Sequence, residues 1–190
     1  MFNSLEEAFR ASAFQVSSFI TSTGFATIDH NILPTLSKAI LIVLMFIGAC
    51  AGSTGGGFKV ARIVMLVKMV KQELRRIIHP RAVTAVKFEG KVVDQVTLSS
   101  VSSYLAIYLL FFIGTFLLMS TSPYTFETDF TATLSCINNI GPLFSRPDSL
   151  VGFGDYSYPL KIVLSFAMLF GRLEIYPLLI ALSPSTWTKK

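Results

Sequence analysis

The sequence predicts an all-α integral membrane fold made of spanning helices and short re-entrant helices. Three observations carry this. The chain has 190 residues, 52% hydrophobic and 14% charged, with seventeen Phe and a mean hydropathy of +0.62. Soluble domains carry about 25% charged residues. One run, Leu98 to Met119, holds no formal charge. Two other segments are too short to cross a bilayer, and each ends in a polar residue and glycine. At about 20 residues per crossing, the length leaves room for roughly three or four spans. Low charge, the lack of a glycine repeat and only two Cys exclude disordered, collagen-like and disulfide-scaffold classes.

Residues 1–10 are acidic and amphipathic, without the basic flank and apolar core of a signal peptide. Residues 5–25 begin with Glu6 and Glu7, continue as a Ser/Thr- and Phe-rich helix of about three turns, and end at Thr23-Gly24. Residues 126–142 share the design, with Glu127 and Asp129 at the start and Asn139-Ile140-Gly141 at the end. Aligning Gly24 with Gly141 also pairs Phe9 with Phe126, Ser18 with Ser135 and Ile20 with Ile137, which marks an internal repeat. A short helix that enters and leaves by one face is re-entrant. Acids suit its outer, positive end, and its carbonyl end then points toward mid-membrane. There it lowers the energy of a dehydrated cation. The following turn presents backbone carbonyls as ligands, and glycine allows them to be aimed. The plainer alternative is a half-helix that plugs a bundle, with Gly24 as a C-cap.

Between Pro34 and Ile78 one unbroken helix would be about 68 Å long. Ala39 to Ala51 is apolar but only 13 residues. Gly52-Ser53-Thr54-Gly55-Gly56-Gly57 follows, then a basic amphipathic run from Phe58 to Ile78. The glycine cluster reads as a break at membrane depth, tolerated only where protein covers it or water reaches it. A phosphate-binding loop is excluded. Gly52 to Gly57 is followed by Phe58 and Lys59, which puts the lysine one place late with no Ser/Thr after it.

Residues 59–91 hold nine of the sixteen basic side chains against two acids, Glu73 and Glu89, and so read as cytoplasmic. The 98–119 helix then runs outward. A second span, Leu160 to Leu182, returns and leaves Lys189 and Lys190 inside. Topology and anionic lipid account for this basic run by themselves. His79 beside Pro80 reads as a polar loop residue rather than a metal ligand. Within the second span Arg172 lies about 16 Å beyond Lys161, near mid-bilayer, where an arginine is costly and functional. Glu174, two residues on, cannot face it along the helix. The plainer alternative is an arginine satisfied by helix-end carbonyls.

Cys50 and Cys136 sit in apolar stretches far apart and read as buried free thiols. Glu6, Glu7, Asp29, Glu127, Asp129, Asp148 and Asp155 outnumber the outer cations Arg10, Lys38, Arg146 and Lys161, which suggests a mildly negative vestibule.

Several motifs resemble one family: Ser22-Thr23-Gly24-Phe25, the stretch from Gly48 to Lys59, His79-Pro80-Arg81-Ala82-Val83, Asn138-Asn139-Ile140-Gly141-Pro142 and Gly171-Arg172-Leu173-Glu174-Ile175. In this order, over nearly the whole chain, they resemble the Trk/Ktr superfamily of potassium-uptake proteins, and within it the bacterial Trk membrane subunits. The resemblance implies four helix–pore-loop–helix repeats around one potassium pathway. Residues 1–91 would be the third repeat without its first helix: pore helix, filter, glycine-broken spanning helix and cytoplasmic basic segment. Residues 92–190 would be the complete fourth. By the same resemblance, Ser22, Thr23, Gly24 and Phe25 form one filter segment, and Asn138, Asn139, Ile140 and Gly141 another. Potassium is held by their backbone carbonyls only, with no cofactor. Gly52, Ser53, Thr54, Gly55, Gly56 and Gly57 form a gate loop below the filter, and Arg172 an electrostatic barrier. The implied setting is the bacterial inner membrane, multi-pass with a cytoplasmic C-terminus. The implied partners are the lipid bilayer, the N-terminal repeats of the same protein, a cytosolic nucleotide-binding regulatory subunit that the basic segment could contact, and a second copy in a homodimer. No nucleic acid is expected. One departure stands out: where the family usually has a further glycine after Gly141-Pro142, Leu143-Phe144-Ser145 follows. The competing reading is a non-conducting structural or regulatory membrane fragment. A membrane enzyme is not expected, because no nucleophile–base pair, metal cluster or paired carboxylates occur at membrane depth.

Overall fold

The computed structural model describes residues 4–48, 50, 53, 56–79, 85–88, 90–145 and 152–173, together with Ile180 and Trp187. Helix α1 (Leu5–Ile20) starts where Ser4 Oγ accepts the Glu7 N–H, with Glu6 and Glu7 in the first turn. Cap and acids both favour the positive end of the helix dipole. One 3-10 turn, His30–Ile32, leads into the apolar α2 (Thr35–Phe46), which follows Pro34. Beyond α2 the helix breaks, as the glycine cluster predicts. Strands β1 (Ile47–Gly48) and β2 (Phe58–Lys59) pair in parallel, so the chain makes an excursion and returns beside its own starting point. Helix α3 (Val60–Ile78) then continues. Of the predicted gate loop, Ser53, Gly56 and Gly57 are described, whereas Gly52, Thr54 and Gly55 lie outside the described residues.

After α3 a small hairpin, β3 (Lys87–Phe88) and β4 (Lys91–Val92), turns at Gly90 and docks on α3 through Lys68 Nζ, which donates to the Lys87 carbonyl at 2.7 Å. Helix α4 (Gln95–Met119) follows, then α5 (Phe126–Asn138), a 3-10 turn at Phe153–Asp155, and α6 (Tyr158–Arg172).

Three sequence expectations need correction. The two ladders are strands within a fold predicted as all-α, because backbone pairing across the glycine break leaves no mark on hydrophobic periodicity. Helix α4 begins at Gln95, before Leu98, because the uncharged but partly polar Gln95-Val96-Thr97 joins its first turn directly after Asp94. The span expected over Leu160 to Leu182 is described as α6 up to Arg172, with Ile180 again helical; the rest of it lies outside the described residues. Glu174 lies outside the described residues. Among them, α4 alone is long and apolar enough to cross a membrane. Finally, Cys136 is buried as expected but Cys50 is exposed, since it lies on irregular chain beyond β1 rather than on a packed helix.

Helix α5 forms the centre, packed against α6, α4 and α2. Thr128, Asp129 and Thr131 to Asn138 are all buried. Two of its hydroxyls donate back into the helix: Thr131 and Thr133 Oγ1 bond the Glu127 and Asp129 carbonyls at 2.8 Å. The abundant phenylalanine joins α2, α4 and α5, with ring centroids 5.6 Å apart for Phe46–Phe112, 5.3 Å for Phe112–Phe130 and 5.7 Å for Phe116–Phe130. Such contacts add about 0.5–1.5 kcal/mol per pair beyond area burial. In lipid, packing of this kind rather than water exclusion holds helices together.

Candidate functional site

The C-terminal ends of α1 and α5 build the same turn. In the first, the Ser22 N–H donates to the Phe19 carbonyl and the Thr23 N–H to the Ser18 carbonyl. In the second, the Asn139 N–H donates to Cys136 and the Ile140 N–H to Ser135. Both are helix stops in which a residue at or just past the C-cap turns left-handed and two orphan carbonyls are satisfied. Ser22 (φ 55°) and Asn139 (φ 53°) take that position, and Gly24 (φ 77°) and Gly141 (φ 115°) are again at positive φ two residues later. Every one of these features recurs at the offset that aligns Gly24 with Gly141. The paired serines brace their turns in different senses. Ser18 Oγ donates to the Phe25 carbonyl at 2.7 Å, whereas Ser135 Oγ accepts the Gly141 N–H at 3.0 Å.

The two turns meet. A Cβ on Gly24 would collide with the Ile140 carbonyl oxygen and come within 3.2 Å of Pro142 Cδ. Positive φ and this close approach both require glycine there. The second turn is approached from two other sides as well. A Cβ on Gly57 (φ 87°) would lie 2.9 Å from Asn138 Oδ1, and one on Gly56 would lie 2.5 Å from the Asn138 carbonyl. Gly171 of α6 presses on the Ile137 carbonyl as well.

Side chains hold this junction. Tyr108 of α4 donates from its hydroxyl to Asn138 Oδ1 at 3.0 Å, and Asn139 Nδ2 donates to the Met168 carbonyl of α6 at 3.0 Å. The departing segment Leu143-Phe144-Ser145 is pinned at its last two residues. The Phe144 N–H donates to Thr131 Oγ1 at 3.0 Å, and the Ser145 N–H to Asn31 Oδ1 at 2.7 Å. Beside the second turn a cavity of about 400 Å³ opens between α5 and α6, lined by Ser135, Asn139, Ile140, Gly141 and Lys161 among others.

The chain belongs to a known family on the strength of one match. The family model for TrkH, described as a cation transport protein, matches residues 1–189. This is a TrkH-family chain. The Trk system potassium uptake protein TrkH of Vibrio parahaemolyticus is 38% identical over 181 residues, covering 95% of this chain and 37% of that protein. TrkG of Escherichia coli K12 is 38% identical over 183 residues, covering 96% and 37%. The crystal structure of the potassium transporter TrkH from Vibrio parahaemolyticus superposes with a TM-score of 0.88 at 37% identity, covering 98% of this chain and 40% of that one. The chain thus spans under two fifths of the length of the curated relatives it matches. The relatives are transport proteins and not enzymes.

Within the TrkH-family chain, the predicted site residues differ in environment. Asn138, Ile140, Gly56 and Gly57 are buried; Ser22, Gly24, Asn139 and Ser53 are half-buried; Thr23, Phe25 and Gly141 are exposed. Arg172 stands exposed in the last turn of α6, one residue beyond Gly171, where a cation suits the carbonyl end of the helix. It makes no hydrogen bond or ion pair among the described residues.

Two features escaped sequence reasoning. Tyr108 lies in a charge-free span and carries no signal beyond its own polar tip. Asp129 was counted as a vestibule charge, but it is 2% exposed and accepts from Ser122 Oγ at 2.8 Å and from the Tyr156 hydroxyl at 2.9 Å. Burial, reinforced by donation to Asp129, raises the Tyr156 pKa and keeps it a neutral donor. Of the other vestibule acids, Glu127 pairs with Lys38 at 3.4 Å, and Asp148 lies outside the described residues. His30 is also buried. It lies tilted against Phe19 and stacked on Phe144, with ring centroids 5.1 and 5.6 Å away, and burial lowers its pKa despite the opposing pull of Asp29. Among the described residues no His, Cys, Asp and Glu side chains cluster as a metal site.

Proposed function

We propose that this TrkH-family chain supplies part of a potassium-uptake pathway, in which Ser22 to Phe25 and Asn138 to Gly141 are two filter segments. The carrying observation is the contact of Gly24 with the Ile140 carbonyl, which brings two turns of matching backbone to one point at the ends of α1 and α5. A left-handed residue, an intervening residue and a second positive φ redirect successive carbonyls, and backbone carbonyls in this setting replace the hydration shell of a cation. The helix ends add negative potential to the same place. In this reading residues 1–91 and 92–190 are the third and fourth pore repeats, and closure of the ring takes further repeats of the same protein. The chain alone therefore does not conduct.

Gly52 to Gly57 act as a gate loop. The stem at Gly56 and Gly57, packed on Asn138, the first residue of the second filter segment, supports that role. Arg172 acts as a fixed positive charge on the ion's route, and its exposure at the end of α6 supports an aqueous surrounding. The setting is the bacterial inner membrane, with the basic α3 and the C-terminus cytoplasmic. A cytosolic nucleotide-binding subunit and a second copy are the expected partners. Potassium-dependent growth of a transport-deficient bacterium tests this. The complete protein should restore growth at low potassium, and Arg172→Ala should raise ion flux. A well-expressed protein that never rescues growth counts against transport, and unchanged flux in Arg172→Ala counts against the barrier.

A further inference from the structure

We infer that Tyr108 and the side chain of Asn138 form a positioning link that ties the glycine-loop stem to the second filter segment. This rests on the filter and loop roles proposed above, and adds how the two communicate. Asn138 is the last residue of α5 and is 0% exposed. Its carbonyl oxygen lies against Gly56, its Oδ1 lies against Gly57 while accepting from Tyr108, and the next residue begins the left-handed turn. One residue of the filter segment thus touches both the loop stem and the spanning helix α4.

Its role differs from that of Asn139, which fastens the turn to α6 through the Met168 carbonyl. Tyr108 is itself fixed by ring contacts with Phe58 at 6.2 Å and Phe46 at 6.5 Å, residues that flank the helix break. Asn138 Nδ2 is buried with no acceptor among the described residues. A buried amide held at only one of its two ends is unusual and marks a group whose surroundings rearrange or are completed elsewhere. The link therefore acts as a strut. With Tyr108 bound, the amide stays against Gly57 and the stem is held below the filter. Without it, the amide can rotate and the stem loosens.

The test uses the complete transport protein reconstituted in potassium-loaded vesicles, reading rubidium flux and the potassium-to-sodium permeability ratio. Tyr108→Phe keeps the ring and removes one hydroxyl, so flux should rise about three- to tenfold, the range one hydrogen bond can move, with the permeability ratio kept. Gly57→Ala pushes on the same amide. Combined with Tyr108→Phe it should raise flux no further than the larger single effect, because neighbouring changes on one link do not add. Should Gly57→Ala fail to assemble, Asn138→Ala takes its place in the cycle. Fully additive effects, or a Tyr108→Phe protein with unchanged flux, overturn the link. Gly141→Ala separates this from the parent reading. If it leaves flux and permeability ratio intact, the filter assignment itself fails; if it alters the ratio while the Tyr108 cycle is additive, only the link fails.

Discussion

The turns after α1 and α5 share a backbone and differ in everything around it. After α5, ten helix residues are buried, and hydrogen bonds from Tyr108 and Asn139, and from the Phe144 N–H to Thr131 Oγ1, clasp the chain. After α1, only Gln15, Ser18 and Phe19 of the helix are buried, Phe25 is 71% exposed, and the bracing is the local bond from Ser18. The same helix stop therefore forms with and without a tertiary clasp. It is a local structure, set by its own hydrogen bonds and by residues that tolerate positive φ. What the surroundings add is position: the α5 turn is fixed relative to α4, α6 and the loop stem, whereas the α1 turn is fixed at Gly24.

The comparison can be broken most forcefully at that shared point. Gly24→Ala should destabilise by about 3 kcal/mol or more, adding overpacking to left-handed strain. A matched fall in detergent melting temperature and loss of rubidium flux would show it; a wild-type melt would mean that the turns do not press together. Asp129→Ala should follow, at about 2–3 kcal/mol, because it strands the hydroxyls of Tyr156 and Ser122. Asp129→Asn should recover part of that in the same melt, since the amide oxygen still accepts.

A serine pair sharpens the contrast between clasped and open turns. Ser135→Ala removes the acceptor of the Gly141 N–H and should cost about 1–2 kcal/mol, whereas Ser18→Ala at the exposed Phe25 carbonyl should cost under ~1 kcal/mol. Equal losses in thermal unfolding would erase the proposed difference. The smallest effect is one of pH. The folded His30 has a lowered pKa, so between that value and the ordinary 6.5 the unfolded state binds more protons. Stability is then complete above about pH 6.5 and declines as pH falls below it. Melting curves from pH 7.5 to 5 should show the decline, and His30→Phe should flatten it.

Much of the fold was legible because membrane sequences state it in composition. The charge-free α4, the acid-led helices ending at Gly24 and Gly141, and the break between Phe46 and Val60 all follow from hydropathy and glycine placement. The second span is described only as far as Leu173 and again at the helical Ile180, so its full length is not read from the structure. Asp129 was misplaced outside because a carboxylate near a helix N-terminus satisfies the dipole whether or not a tyrosine covers it. Tyr108 could not be found because its partner lies 30 residues away on another helix.

Sequence alone determined the two turns. Ser18 with Ser135, Ser22 with Asn139 and Gly24 with Gly141 stand at equal spacing, and local hydrogen bonds plus tolerated dihedrals are enough to form each stop. Tertiary structure decided that the turns converge and that Gly57 and Gly171 close on the second. Those contacts depend on how helices distant in the chain approach one another, and a glycine in the sequence does not say which backbone will fill the space its missing side chain leaves.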